Sequence, residues 1–600
     1  MKKRLIDIYS LDTKIKFFPF VKDISRYNFS TFKDDLLAAI SVALLAIPQS
    51  IAYSMLANLP IQAGIFSAIF GSIFSGAFGS SRHLIAGPST GVSILIQTIL
   101  SNIMNANFSS LAADQKEFIV LNLLMQLVLL IGVFQLIFSF FNLGKMLQFV
   151  SRPVILGYFA GVGVAIIINQ LYYLFGIKET VFTTSALMNA YAFLGNIKEV
   201  NWVALLVGII SILLLVLLKI KYKKLPNVLI MITIITLIVY FLNAFLIKNL
   251  GMKVPVLIDF GLTNIPTIKL VFPYLDFKMI DQLFFPALAV SMLSILEVSS
   301  ISKGIATKSG QKLKANQEIF GIGISNFILS FFYTAMPTSG SVSRTSLNFT
   351  AGAKTRFASI FSGIIVSILI FLLWPLVKFI PLCALAAVLI IMVISVVEIR
   401  HVKVCFRSSL GDASAFLLTM ISCLIFRLDV AFFFGIVISI IFFLRKAAVP
   451  HLVEYSIDED DKLHLIDPKK NDHKKIRIIG IAGELFFAAV DLVQNTIQKM
   501  IKEPDVQVII LRLQNIYDVD ASFCIAIMRL NDYLRITNRY LLISGISKEV
   551  WDIFKKTGVV KQLGQDQMFM TDEDAPQLST KKALKRASEL IKELQAKLEV

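Results

Sequence analysis

The sequence predicts an α-helical polytopic membrane protein that ends in a small α/β domain. Three observations carry this reading. Of 600 residues, 56% are hydrophobic and only 16% charged, and the mean hydropathy of +0.75 is too apolar for a soluble chain of this size. Apolar runs of about 17 to 25 residues, enough to cross about 30 Å of hydrocarbon, follow one another from Leu36 to Lys446. Beyond Lys446 the charge rises and the apolar patterns shorten to soluble lengths.

The apolar runs fall near 36–57, 61–80, 85–103, 118–141, 153–176, 201–219, 226–247, 283–302, 315–335, 338–351, 357–378, 381–398, 410–426 and 430–445, fourteen in all. With the N-terminus inside, Lys and Arg gather in the connections expected to be cytoplasmic, at Arg82, Arg152, Lys219, Lys303, Lys308, Lys354, Arg356, Arg400 and Arg407, and are sparser in the alternate ones. Both termini are therefore expected in the cytoplasm and the chain in the inner (cytoplasmic) membrane. The net charge of +18 follows from this topology, and no basic face interleaved with aromatics points to nucleic acid. The four cysteines, Cys383, Cys405, Cys423 and Cys524, make neither a CxxC nor a Cys/His ligand spacing, so no disulfide, metal site or cofactor is expected. Met1 to Lys33 is polar and basic with no apolar core segment, which argues against a cleavable signal peptide.

In the soluble region, IRIIGIAGELFF (Ile476 to Phe487), VQVIILRLQN and RYLLISGI read as strands. They alternate with helical patterns in VDLVQNTIQKMIK, SFCIAIMRLNDYLRIT and KEVWDIFKKTG, which implies a small α/β domain. The expected organisation is a cytoplasmic segment 1–33, a transmembrane domain 34–446, an α/β domain with its linker 447–575, and a charged helix 576–600. That last helix, with Leu584, Leu590, Ile591, Leu594 and Leu598, is either a tail or a dimer contact.

Two of the apolar runs begin with polar, helix-breaking sequence: IAGPSTGVSIL (Ile85 to Leu95) and, roughly 250 residues later, PTSGSVSR (Pro337 to Arg344). A second pair recurs at a similar interval, IPQSIAY (Ile47 to Tyr53) and ILEVSSISK (Ile295 to Lys303). Corresponding breaks in two halves of seven runs signal an inverted repeat with a site at the bilayer midplane. Half-helices beginning near Pro88 and Gly340 would aim unpaired N–H groups and positive dipole ends at one point, which suits an anion. Ser341 and Arg344, spaced i and i+3, share a helix face, and Ser89 and Thr90 would add hydroxyls opposite. A charge at the bilayer centre costs about 3 kcal/mol, so Arg344 needs an anionic partner. Glu297 is the candidate within the protein, to neutralise Arg344 or to hold a proton or cation during transport. No Ser/His/Asp or metal constellation suggests an enzyme; the histidines, His83, His401, His451, His464 and His473, all fall in expected loops or the soluble region.

These motifs resemble those of a known family. DDLLAAISVALLAIPQSIAYSMLANLP (Asp34 to Pro60) with FGSSRHLIAGPS (Phe78 to Ser89) resembles the first signature of the sulfate permease (SulP) family of anion transporters. SRPVILGYFAGVGVAIIINQL (Ser151 to Leu171), LEVSSISK, NQEIFGIGISN (Asn316 to Asn326) and PTSGSVSRTSLNFTAGAKT (Pro337 to Thr355) are similar to later motifs, and the C-terminal domain resembles the STAS domain of its members. The resemblance implies fourteen transmembrane segments as seven plus seven inverted repeats, divided into core and gate, with a cytoplasmic STAS domain and a homodimer. It also implies secondary transport of a small inorganic anion, with no cofactor beyond a co-transported proton or sodium ion. Its anion site falls on Gln49, Tyr53, Ser89, Thr90, Ser300, Ser341, Ser343 and Arg344, with Glu297 as the coupling residue. LEVSSISK is closer to members described as sulfate permeases than to bicarbonate transporters, which favours sulfate. The alternatives are bicarbonate, a C4-dicarboxylate or an uncoupled anion channel. DVDASF (Asp518 to Phe523) resembles the D-x-S stretch phosphorylated in bacterial anti-sigma-factor antagonists, with Phe523 in place of the usual glycine. Asp520 and Ser522 are therefore read as the cap of the following helix or as a regulatory site that meets a cytoplasmic protein partner.

Overall fold

The computed structural model describes residues 15–598 apart from 26, 109–111, 144–149, 178–184, 223–225, 251–252, 261–266, 398, 448–450, 458–462, 466–474, 483–492, 496, 498–504, 517, 573–574 and 576. The chain divides into two compact units, Met1–Ser439 and Ile440–Val600. The first half of the membrane unit runs through α1 (Phe29–Leu56), α2 (Ile61–Phe78), the short strand β1 (Ala86–Gly87), α3 (Thr90–Asn107), α4 (Ala113–Phe140), α5 (Arg152–Leu174), α6 (Ala186–Gly195), α7 (Trp202–Lys221) and α8 (Asn227–Leu250). The second half contains α9 (Phe277–Ser309), α10 (Ala315–Leu329), the strand β2 (Ser339–Gly340), α11 (Val342–Thr350), α12 (Phe357–Val377), α13 (Leu382–Val396), α14 (Ile399–Ser408), α15 (Leu410–Ile425) and α16 (Leu428–Ala447).

Among the described residues, ten helices are long and apolar enough to cross a membrane, as expected of a multi-pass membrane protein. Four of the fourteen expected spans, at α3, α10, α11 and α15, are not among them. Two of these start late: the chain stays extended through β1 and β2, so α3 begins only at Thr90 and α11 is 9 residues long. The second pair of expected breaks is corrected. Helix α1 runs unbroken through Pro48 for 28 residues, and α9 continues through Glu297 for 33 residues. A membrane helix tolerates the single hydrogen bond that proline removes when neighbouring groups satisfy the freed carbonyl. The connection carrying Arg400, Lys403 and Arg407 is also not a loop but the helix α14.

The helices pack as two bundles. In the core, α4 packs on α9 and α10, α2 on α10 and α12, and α1 on α2 and α12; in the gate, α5 packs on α13 and α15, and α7 on α8 and α13. Glycines set the closest approaches, because in lipid the contact between helices comes from dispersion at short range. A Cβ at Gly132 of α4 would lie 2.5 Å from the Phe327 amide nitrogen of α10, and one at Gly157 of α5 would collide with the Phe416 carbonyl of α15.

The second unit is built on strands β3 (His451–Ile457), β4 (Leu463–Leu465), β5 (Ile476–Ala482), β6 (Val508–Asn515), β7 (Tyr540–Ile546) and β8 (Met568–Met570). They form one sheet in the order β4-β3-β5-β6-β7-β8, parallel from β5 to β8 and antiparallel at β3. Helices α17 (Ala521–Ile536) and α18 (Lys548–Thr557) bury Phe523, Ile527 and Phe554 against Ile509, Leu511 and Ile543 on one face. The opposite face is covered by α20 (Leu578–Leu598), which follows the single-turn α19 (Val559–Leu563) and seats Ala583, Ala587 and Leu590 on Ile478, Val508, Ile510 and Leu542. The charged helix at 576–600 is thus not a free tail: its buried stripe is a layer of the α/β fold. The expected helix in VDLVQNTIQKMIK lies largely outside the described residues, as do Gly483 to Phe487 and the part of the N-terminal segment before Ile15.

Candidate functional site

The two broken runs meet. β1 pairs antiparallel with β2, Ala86 opposite Gly340 and Gly87 opposite Ser339, and the Ser341 amide donates to the Ile85 carbonyl at 3.0 Å. Antiparallel pairing is what an inversion between the halves requires. Immediately after the ribbon each chain turns into a helix. Ser89 caps α3 by accepting from the Val92 amide, and Ser341 caps α11 by accepting from the Arg344 amide. The amides of Thr90, Gly91, Val342 and Ser343 have no acceptor among the described residues, so both helix starts present free donors and positive dipole ends.

Those starts line a cavity of about 320 Å³ between the core helices and the gate helices α5 and α13. At about 30 Å³ per molecule of liquid water, this holds a hydrated small ion. Of the residues expected at the site, Tyr53, Ser89, Thr90, Glu297, Ser300, Ser341 and Ser343 face it. Thr90 Oγ1 donates to the Tyr53 hydroxyl at 3.3 Å, and that hydroxyl reaches Met392 Sδ across the cavity at 3.7 Å. The remaining two stand behind the wall. Gln49 donates from Nε2 to Ser343 Oγ at 3.2 Å, and its buried Oε1 has no partner among the described residues.

Arg344 does not share the cavity face with Ser341. Its side chain is fully buried and runs back under the ribbon, where Nη2 donates to the Pro88 carbonyl at 2.7 Å and Nε and Nη1 have no partner among the described residues. The passage exists because residue 87 is glycine: its φ is +153°, and a Cβ there would sit 2.5 Å from Arg344 Nη1. The expected pairing of Glu297 with Arg344 is also corrected. Glu297 Oε2 accepts from Ser89 Oγ at 2.8 Å and from Ser339 Oγ at 2.5 Å, and no ion pair joins it to the guanidinium. The carboxylate is held by one hydroxyl from each half of the repeat, while the cation ties the ends of the two half-helices together from behind.

The gate contributes residues that the sequence reading assigned to loops. Arg152, at the start of α5, and His401, on α14, both line the cavity, with Phe159, Val162 and Met392 forming its apolar side. Arg152 lies within the SRPV motif already singled out, so the motif was visible although its role was read only as topology. The cavity thus has a polar floor of helix starts and hydroxyls, one carboxylate, an apolar wall and a basic mouth. Such a site can hold an anion without covalent chemistry. In the second unit Asp520 caps α17, its Oδ1 accepting from the Phe523 amide at 2.8 Å, and Ser522 lies in the first turn.

The sulfate permease family matches residues 32–419, and the STAS domain matches residues 467–575. Among relatives, "Sulfate transporter 4.1, chloroplastic" from Arabidopsis thaliana is 26% identical over 603 residues, spanning 96% of this chain and 84% of that protein. Among solved structures, the murine Slc26a9 anion transporter in the inward-facing state superposes with a TM-score of 0.83 at 19% identity over 94% of each chain. The transmembrane domain of the cyanobacterium bicarbonate transporter BicA gives 0.58 at 17% identity, covering 69% of this chain and 98% of that one. At these identities the structural likeness is one of fold.

Proposed function

The chain belongs to the sulfate permease family, and from that premise we propose that it is a secondary active transporter of an inorganic oxyanion, sulfate first, working by alternating access. The observation that carries the reading is the convergence of two half-helix N-termini, from opposite halves of the repeat, on one cavity backed by a buried guanidinium with two unsatisfied donors. Free amides at Thr90, Gly91, Val342 and Ser343, with the hydroxyls of Ser89, Ser341 and Ser343, supply directional donors for oxygen ligands. Arg344 acts through the field it adds behind the ribbon, and Gln49 orients Ser343.

Glu297 is the coupling residue. Moving one charge against 100 mV costs about 2.3 kcal/mol, so a divalent anion taken up against an inside-negative potential costs about twice that. A carboxylate beside the anion is tolerated when a proton or sodium ion accompanies it, and the two hydroxyls that hold Glu297 come from the same ribbon that positions the helix starts. The protein works in the cytoplasmic membrane with both termini inside, as a homodimer, and its STAS domain meets a cytoplasmic partner.

Purified protein in liposomes, offered labelled sulfate, bicarbonate, nitrate and C4-dicarboxylates under separately imposed proton and sodium gradients, tests this. Saturable sulfate uptake driven by one of the two gradients is expected. Preference for another anion would redirect the substrate, and net anion current indifferent to both gradients would replace the transporter by a channel.

A further inference from the structure

A second, much smaller cavity of about 20 Å³ lies between core and gate. Its polar lining is Gln97, Thr98 and Ser101 of α3, Asn169 of α5 and Asn189 of α6, and Cys423 of α15 closes one side. The same two helices, α3 and α5, line the large cavity one stage earlier, with Thr90 and Gly91 on one and Arg152 to Ile166 on the other. Along α3 the step from Gly91 to Gln97 is about 9 Å at 1.5 Å per residue. On α5 the order from the Arg152 end is basic mouth, large cavity, then small chamber. Val162 and Ile166, which line the large cavity, and Ile94, which lines the small chamber, are each 2% exposed or less.

Three features set this chamber apart from a packing defect. Voids within apolar helix packing are lined by apolar groups, whereas this one gathers five polar side chains at the surface where two bundles meet. Asn189 Nδ2 donates to Asn169 Oδ1 at 3.0 Å, which fixes the Asn169 amide at the chamber wall. Gln97 is 7% exposed, and its carboxamide has no hydrogen-bond partner among the described residues, so a polar head is held at the void rather than spent on the protein. The chamber has room for one water and is too small for an oxyanion.

Resting on the transporter reading, we propose that this chamber is the collapsed far half of the anion path: a second polar station for the hydrated oxyanion, sealed from the first by Ile94, Val162 and Ile166. Displacement of α3 with the core against α5, α6 and α15 would part the three apolar side chains and widen the chamber. Gln97 and Asn169 then replace part of the anion's water on its way to the half-helix starts. On uptake the residues around Gln97 admit the anion from the outer face, and those on the Arg152 side release it to the cytoplasm.

Cys423 is a native reporter of that opening. In full-length protein with Cys383, Cys405 and Cys524 changed to alanine and reconstituted in liposomes, a small charged thiol reagent is applied to the face opposite Arg152. Labelling of Cys423 is expected to accelerate at least tenfold when sulfate is cycling, and the modification is expected to block uptake. Gln97→Leu should lower maximal uptake at least tenfold while sulfate binding to the purified protein stays within twofold, and Gln97→Asn should keep most of the activity. A transporting protein whose Cys423 never reacts from that face overturns the proposal, as does a Gln97→Leu variant that transports normally. If Gln97→Leu fails to fold, the Cys423 measurement, made with Gln97 intact, decides alone. If the unmodified protein carries no oxyanion at all, the transporter reading fails instead.

Discussion

Gly87→Ala separates the two reasons that residue 87 is glycine. The first is backbone: at φ +153° a side chain forces a conformation that costs about 1–3 kcal/mol. The second is space: the new methyl would lie 2.5 Å from Nη1, 2.9 Å from Nη2 and 3.1 Å from Cζ of Arg344, so the guanidinium must withdraw and break its bond to the Pro88 carbonyl. Losing a buried hydrogen bond to a charged group costs about 1.5–3 kcal/mol, so the two effects together reach about 2.5–6 kcal/mol. Only the second depends on Arg344. In an Arg344→Met background Gly87→Ala should therefore cost only the conformational part, and a double-mutant cycle on unfolding midpoints of the detergent-purified protein should return a coupling of about 1.5–3 kcal/mol. Gly340→Ala on the paired strand serves as comparison: residue 340 has no positive φ and its nearest neighbour is the flexible end of Ile301 at 3.1 Å, so its penalty should be smaller. A Gly87→Ala protein that melts with the unmodified one, or that pays the same penalty without Arg344, refutes the placement of the guanidinium beneath the ribbon.

Ser339→Ala removes a hydroxyl that does not line the large cavity yet donates to Glu297; the lost bond, about 1.5–3 kcal/mol, should slow gradient-driven uptake about tenfold or more at saturating sulfate, and unchanged initial rates would free Glu297 of that dependence. Arg152→Gln should raise the KM for sulfate offered at the cytoplasmic face at low ionic strength, and the difference should vanish near 0.5 M salt, where screening shortens to about 4 Å; a salt-independent effect would mean direct contact rather than attraction at the mouth. Ala587→Glu forces an unpaired carboxylate onto the sheet, at a cost of several kcal/mol, and should make the second unit of the full-length chain sensitive to limited proteolysis, whereas a tail would tolerate it. Asp520→Ala should lose about 1 kcal/mol of stability with the α17 cap, read from the same proteolysis, and Ser522→Ala much less.

The site was legible where local chemistry decides it. Hydroxyls and glycine after a proline inside an apolar run announce a late helix start, and the repetition of that pattern brings Ser89 and Ser341 to one cavity. The direction of the Arg344 side chain was not legible, because it depends on a strand pairing between residues about 250 positions apart and on the absence of a Cβ at residue 87. Periodicity gave Ser341 and Arg344 the same helix face, but in the first turn a cap and a ribbon outweigh it. Pro48 misled in the opposite direction, since proline marks the loss of one hydrogen bond and not the end of a membrane helix. Arg152 and His401 were read as loop charges because the sequence shows where a charge lies along the chain and not which cavity it overlooks. In the second unit, HLVEYSI pairs with β5 as a strand although acidic residues follow it in the sequence, and α20 seats two alanines, Ala583 and Ala587, beside Leu590 on the sheet, a contact that its leucine pattern does not announce.

The two inverted segments are clasped by main-chain pairing, reinforced by Arg344 on the Pro88 carbonyl and by Glu297 between Ser89 and Ser339. The electropositive floor is thereby a fixed frame of helix starts, while the opposite wall is made of side chains such as Phe159 and Met392. Selectivity among oxyanions can then be retuned from the gate alone, without disturbing the clasp.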